Sequence, residues 1–247
     1  MLMRSLLFLG LFWSLSASAF TVSPMSVTFE LSGPGATQSF QVSNTTPDAI
    51  AVEVSLATRQ MDIDGKETQT QPPELESLFL IFPSQVILKP GEKRAVRVSY
   101  VGSALKKEAA YRLIFEQLPV ATEKKEKTNG ALIKMLLKYV AAVYVLPPEA
   151  KPNLHLKSGL RVPGKSGQPD QLELVFENTG AAHRVLSGLK LRITTTGPDP
   201  KTVTLEPDSL PTLEGQNVLA GGTRRFEIPW PSAIPKGPVQ VSLVFKD

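Results

Sequence analysis

Short runs in which apolar and polar residues alternate recur along the chain from about residue 20 onward, and Gly, Pro, Asn and Asp separate them. A pattern that repeats every two residues belongs to a strand with one buried face. In 50-IAVEVSL-56, Ile50, Val52, Val54 and Leu56 share one face, while Glu53 and Ser55 take the other. In 94-RAVRVSY-100, Val96, Val98 and Tyr100 turn inward and Arg97 outward. Strands are also predicted at 39–42, ending at 44-NTTPD-48, and at 111–119; 85-QVILKPGEK-93 reads as strand, Pro-Gly turn, then charge. After 147-PPEAKPN-153, a linker stiffened by prolines, a second series covers 154–162, 172–180, 186–194, 202–207, 224–230 and 239–246. The expected fold is all-β, with two sandwiches of roughly 100 to 125 residues each.

One stretch does not fit a simple strand. In 131-ALIKMLLKYVAAVYVLPP-148 the residues are nearly all apolar, yet Lys134 and Lys138 stand within the run. A helix would gather Ile133, Leu136, Leu137 and Val140 into a stripe, with the lysines at its edge. Val and Tyr in 139-YVAAVYV-145 prefer strands, 129-NGAL-132 offers no acidic capping partner, and the neighbouring segments all read as β. The strand reading puts Ile133, Met135, Leu137 and Tyr139 on one face, and Leu132, Lys134, Leu136 and Lys138 on the other. From Val140 onward both faces are apolar, as in a strand inside a sandwich. Two readings follow for the first half. It is a long edge strand whose lysines discourage aggregation, or a segment delivered to a partner by β-augmentation.

The first 19 residues, MLMRSLLFLGLFWSLSASA, have a basic start, an apolar core and small residues at the end, the form of a cleavable secretory leader. The later chain shows no uncharged apolar run long enough to span a bilayer, so the mature protein is expected to be exported and not embedded in a membrane. With no cysteine, the fold has to hold without disulfides. The charge balance of 27 basic against 23 acidic residues is mild and scattered. It forms no basic helix or aromatic-interleaved stripe, so nucleic acid is not an expected partner.

The residues 20-FTVSPMSVTFELSGPGATQSFQVSN-44, 82-FPSQVILKPGEKRAVRVSY-100 and 111-YRLIFEQLPV-120, with a weaker match at 172-LELVFENTG-180, resemble the PapD-like periplasmic chaperones of chaperone–usher pilus assembly. The resemblance implies two immunoglobulin-like β-sandwich domains in an L or boomerang arrangement: residues 20–147 carrying a donor strand, and 148–247. It implies the periplasm as location, pilin (fimbrial) subunits and an outer-membrane usher as partners, and a self-capping homodimer as a state of the free chaperone. Pilins of that family lack their last strand, and the chaperone lends its own. By position the donor side chains are Ile133, Met135 and Leu137, with Ala131 a shallow fourth. Arg- and Lys-anchored members hold the subunit's terminal carboxylate with one cation on the first strand and another on the donor strand. Here those positions hold Ser26 and roughly Val140, which places the chain with the non-classical (archaic or alternate) branch. Arg112 and Lys138 are then the candidate anchors, with Arg97 in reserve.

Other chemistry finds little support. The run 62-DIDGKE-67 lacks the ligand spacing of a calcium loop and reads as an Asp-Gly hairpin turn. His155 and His183 have no carboxylate or histidine at ligand spacing, and are expected to be lone surface or strand residues. No nucleophile stands beside a base, so no enzyme, cofactor or metal is expected. A secreted adhesin or surface subunit is the alternative, and a carbohydrate-binding module or β-rich hydrolase a third reading.

Overall fold

The computed structural model describes residues 19–119, 135–164 and 167–245. Most of the expected leader, the polar loop 121–130, and Ala131, Ile133 and Lys134 lie outside the described residues. The first half of the chain forms β1 (Phe20–Ser23), β2 (Ser26–Phe29), β3 (Thr37–Asn44), β4 (Ile50–Thr58), β5 (Gln60–Met61), β6 (Glu67–Thr68), a single helical turn α1 (Leu75–Leu78), β7 (Phe79–Phe82), β8 (Gln85–Leu88), β9 (Lys93–Tyr100), β10 (Ala109–Leu118) and β11 (Lys138–Val145). Two sheets of order β1-β3-β9-β7 and β2-β11-β10-β4-β8 face each other. The alternation read in the sequence holds: Val52, Val54, Val96, Val98 and Tyr100 are buried, and Glu53 and Arg97 point outward. Between the sheets Phe29, Phe79, Tyr100 and Tyr111 pack edge-to-face, and Phe40 lies against Phe115.

The segment at 20–29 forms two strands. Pro24 has no N–H to give a ladder, and the chain changes sheets there: β1 pairs with β3 in one sheet, β2 with β11 in the other. The two-residue strands β5 and β6 close on the turn at Asp62–Lys66. Asp62 accepts backbone N–H bonds from Asp64 and Lys66 through its side chain, and Gly65 sits at φ 83°. This is the expected hairpin turn, in the αL conformation that glycine tolerates.

The second half contains β12 (Leu154–Val162), β13 (Gln171–Asn178), β14 (Arg184–Leu186), β15 (Leu189–Thr195), β16 (Thr202–Leu205), β17 (Gln216–Val218), β18 (Thr223–Pro229) and β19 (Val239–Phe245). Its sheets run β12-β13-β18, β16-β15-β19 and β14-β17 around a separate core that includes Leu172, Leu174, Phe176, Leu191 and Phe226. The predicted strand at 186–194 breaks at Gly188, whose φ of 65° turns the chain from β14 into β15. A buried asparagine ends one strand in each half and plays the same part. Asn44 donates to the carbonyls of Asp48 and Leu88, and Asn178 to those of Ala182 and Val218. Each ties a loop to a neighbouring strand where no ladder reaches.

Candidate functional site

The ambiguous stretch is a strand from Lys138 to Val145, and Met135 to Leu137 precede it without strand pairing. The helix alternative does not apply to 138–145. Leu137 still joins the ladder through one bond, since its carbonyl accepts from the Gln117 N–H at 2.9 Å. Tyr139, Ala141, Val143 and Val145 line the sandwich interior, and Tyr139 meets Phe20 edge-to-face at 4.7 Å. The outer face is apolar toward the end of the strand because the second sandwich covers it there. Tyr144 stacks on His183 at 4.0 Å and 16°.

The two sides of β11 differ. Along one side β10 pairs with all of it, from Lys138 opposite Glu116 to Val145 opposite Ala109. On the other side β2 pairs only with Ala142 to Val145. From Ala141 back to Lys138 that side meets no strand among the described residues, so a row of backbone donors and acceptors is open. Met135 is 76% exposed next to this edge, while Leu137 is partly buried against the core of its own sandwich.

The expected anchor residues fall in different places. Arg97 is on β9, in the sheet that does not contain β11. Lys138 is exposed and pairs with Glu116 at 3.1 Å, an ion pair worth about 0–1 kcal/mol. Arg112 is set deeper. The row containing Ser26 runs through Ala142 on β11 to Arg112 on β10, roughly 10 Å away at ordinary strand spacing. Its guanidinium forks the carboxylate of Glu67, Nε to Oε1 at 2.7 Å and Nη2 to Oε2 at 2.5 Å.

Arg59, which the sequence did not single out, binds the same carboxylate, its Nε donating to Oε2 at 2.9 Å. Its Nη1 donates to the Tyr144 hydroxyl at 2.7 Å, and Asn217 of the second sandwich donates to that hydroxyl at 2.8 Å. Burial alone would push Glu67 up. The fork from Arg112, the Gln69 amide and the charge of Arg59 outweigh it and hold the carboxyl at about 2. Arg224 completes the cluster from β18. It is buried, and donates to the Asn217 carbonyl, the Gln216 side chain and the Met61 sulfur, with no carboxylate partner among the described residues. Desolvation, followed by the repulsion of Arg59, lowers its pKa. Two arginines therefore share one carboxylate at the junction of the sandwiches, and a third, Arg224, lies beside them between the charge of Arg59 and those of Asp62 and Asp64.

The hairpin carrying Glu67 also touches the second sandwich. The Asp64 carboxylate accepts from Arg225 Nε at 2.8 Å, and the Ile63 carbonyl from the Arg225 N–H at 2.7 Å. The histidines are not lone residues, contrary to expectation. His155 meets Glu177 across the β12–β13 ladder at 3.1 Å, and His183 Nδ1 meets the buried Glu108 carboxylate at 2.7 Å. Strand register and the domain junction create those pairs, and residue spacing along the chain does not reveal them.

Among known proteins, the family profile described as "Pili and flagellar-assembly chaperone, PapD N-terminal domain" matches residues 20–151. The fold is similar to that of the class 5 fimbriae chaperone CfaA, with a TM-score of 0.57 at 16% identity over 91% of this chain and 98% of that one. It is also similar to the CsuC–CsuE chaperone–tip adhesion subunit pre-assembly complex of archaic Csu pili from Acinetobacter baumannii, with a TM-score of 0.53 at 15% identity over 85% of this chain and 91% of that one. No curated protein matches the chain.

Proposed function

Because the chain belongs to the PapD family of pili and flagellar-assembly chaperones, we propose that it binds pilin subunits in the periplasm by donor-strand complementation and passes them to an outer-membrane usher. The observation carrying this reading is the edge of β11, paired with β10 along one side and open before Ala142 on the other. A subunit lacking its last strand would add there through backbone hydrogen bonds. Alternate side chains Ile133, Met135 and Leu137, with Ala131, would fill its groove. Each large side chain buried contributes about 1.5–3 kcal/mol, and the flexibility of Met suits grooves of differing shape. The exposure of Met135 supports the reading. Ser26 in the first-strand anchor position and no cation at Val140 or Ala142 favour the non-classical branch. Arg112, on the strand beside the donor, is the anchor we favour over Lys138 and Arg97. The exported leader at 1–19 and the division at 147 belong to the same reading.

Co-expression with pilins encoded beside the chaperone tests this. Wild type is expected to co-purify with its subunit, and a variant with polar residues at Ile133, Met135 and Leu137 is not. Equal recovery of subunit by the two proteins sinks the donor role.

A further inference from the structure

The chain holds no cysteine, so its only sulfur chemistry is that of thioethers. Beyond the leader these are Met25, Met61 and Met135. The fold treats them differently. Met61 lies on β5, half-buried at the junction of the sandwiches, and its sulfur accepts from Arg224 Nη1 at 2.9 Å. Met25 is 41% exposed in the corner between β1 and β2, and its carbonyl accepts from the Ala142 N–H at 2.8 Å, where the open stretch of β11 ends. Met135 is 76% exposed and shortly precedes Lys138, where that stretch begins. The two accessible thioethers therefore flank the unpaired edge from Lys138 to Ala141, while the third is tied into the structure. A thioether needs no ionisation to be oxidised, so access to its sulfur decides which residue reacts.

We propose that Met135 is a redox-sensitive modification site, at which a hydroperoxide converts the thioether to the sulfoxide and switches subunit capture off. This deepens the donor-strand reading and rests on it. The step balances without a cofactor. A sulfur lone pair attacks the outer oxygen of the hydroperoxide, and the S–O bond forms as the O–O bond breaks. The hydroperoxide's proton passes to the leaving oxygen, which departs as an alcohol or as water. Sulfur gives up two electrons and the peroxide takes them. The product is polar and chiral where the thioether was apolar and flexible. In the free chaperone the change costs little, because the side chain already stands in solvent. In a subunit's apolar groove it costs more, since the sulfoxide oxygen loses water without gaining a partner. The backbone edge of β11 is untouched, so the fit of one side chain changes and the fold does not. Reduction of the sulfoxide restores the thioether and makes the switch reversible. A bound subunit shields the sulfur, which leaves the free chaperone as the sensitive form.

The test oxidises the full mature chaperone with hydrogen peroxide, removes the peroxide with catalase, and then offers the unfolded pilin captured in the co-expression above. Peptide mass mapping reads each methionine. Met135 is expected to gain oxygen first, Met25 next and Met61 last. Capture is expected to fall about 10- to 100-fold as Met135 converts, the worth of one large buried side chain, while the thermal unfolding midpoint of the chaperone stays where it was. A methionine sulfoxide reductase is expected to restore capture. In Met135→Leu, capture is expected to be the same before and after peroxide, whatever its starting level. Met61 reacting as fast as Met135 overturns the switch, and so does a loss in Met135→Leu equal to that of wild type. Oxidation of the preformed complex separates the inference from its premise. Protection of Met135 there, with undiminished capture by chaperone already oxidised at Met135, sinks the switch and leaves the donor strand standing. Met135 oxidised as rapidly in the complex as in the free chaperone removes it from the groove, and the donor reading at that position fails with the inference.

Discussion

The charge cluster at the domain junction makes a quantitative prediction about acid stability. Glu67 has its pKa lowered from 4.5 to about 2. At about 1.4 kcal/mol per pH unit, that interval corresponds to about 3 kcal/mol of native-state stabilisation, and the solvent still reaching the side chain trims it to about 2–3 kcal/mol. The sign follows from the direction of the shift. A carboxylate with a depressed folded-state pKa contributes fully above its unfolded value near 4.5, and the contribution disappears as the pH falls toward 2. Urea unfolding of wild type and Glu67→Gln between pH 7 and pH 2.5 isolates it. The wild-type advantage is expected to be constant from pH 7 to pH 5, and then to shrink by most of that amount. Asp170 is also held at about 2, chiefly by hydrogen bonding from Arg161, but it belongs to the second sandwich and cancels in the comparison. A difference between the two proteins that stays within about 0.5 kcal/mol over the whole range refutes the assignment of Glu67 as the shared ion-pair partner of Arg59 and Arg112.

Three further outcomes are expected. Gly65→Ala places a Cβ at φ 83° against the Arg224 guanidinium; it is expected to destabilise by about 1–3 kcal/mol, read by thermal unfolding, and to shift the Arg224 side-chain resonances. Asn178→Ala strips two donors and an acceptor from the carbonyls of Ala182 and Val218 and the N–H groups of Asn153 and Gly180; orphaning these groups is expected to cost about 2–4 kcal/mol in denaturant unfolding, against near-neutral effects at exposed sites. Phe115→Ala removes a fully buried ring packed against Phe40; it is expected to cost about 3–5 kcal/mol, and a loss below 1 kcal/mol contradicts the core placement.

Much of this architecture was legible along the chain because strand alternation is a local property. Ile50 to Leu56 and Val96 to Tyr100 each place one face inward, and the structure keeps those faces. The break at Gly188 was missed because the flanking residues alternate across it; only the backbone angle shows the turn. The strand switch at Pro24 had a visible cause, a missing N–H, but its consequence depends on which sheets lie on either side. Arg112 was singled out as an anchor on the strength of its expected strand, whereas Arg59 was not, since nothing in its neighbours marks it.

Taken alone, the sequence determined that this is an all-β chain of two sandwiches, that 139–145 prefers strand to helix, and that family motifs run through the chain from residue 20, more weakly in its second half. Those properties reside in residues a few positions apart, where side-chain period and turn chemistry act directly. The tertiary structure decided that β11 has one open side, that Glu67 meets an arginine 45 residues away, and that Arg59 reaches a tyrosine 85 residues away. Such contacts depend on register, sheet order and the fold of one hairpin over a neighbouring strand, and a one-dimensional pattern of polar and apolar residues carries none of these distances.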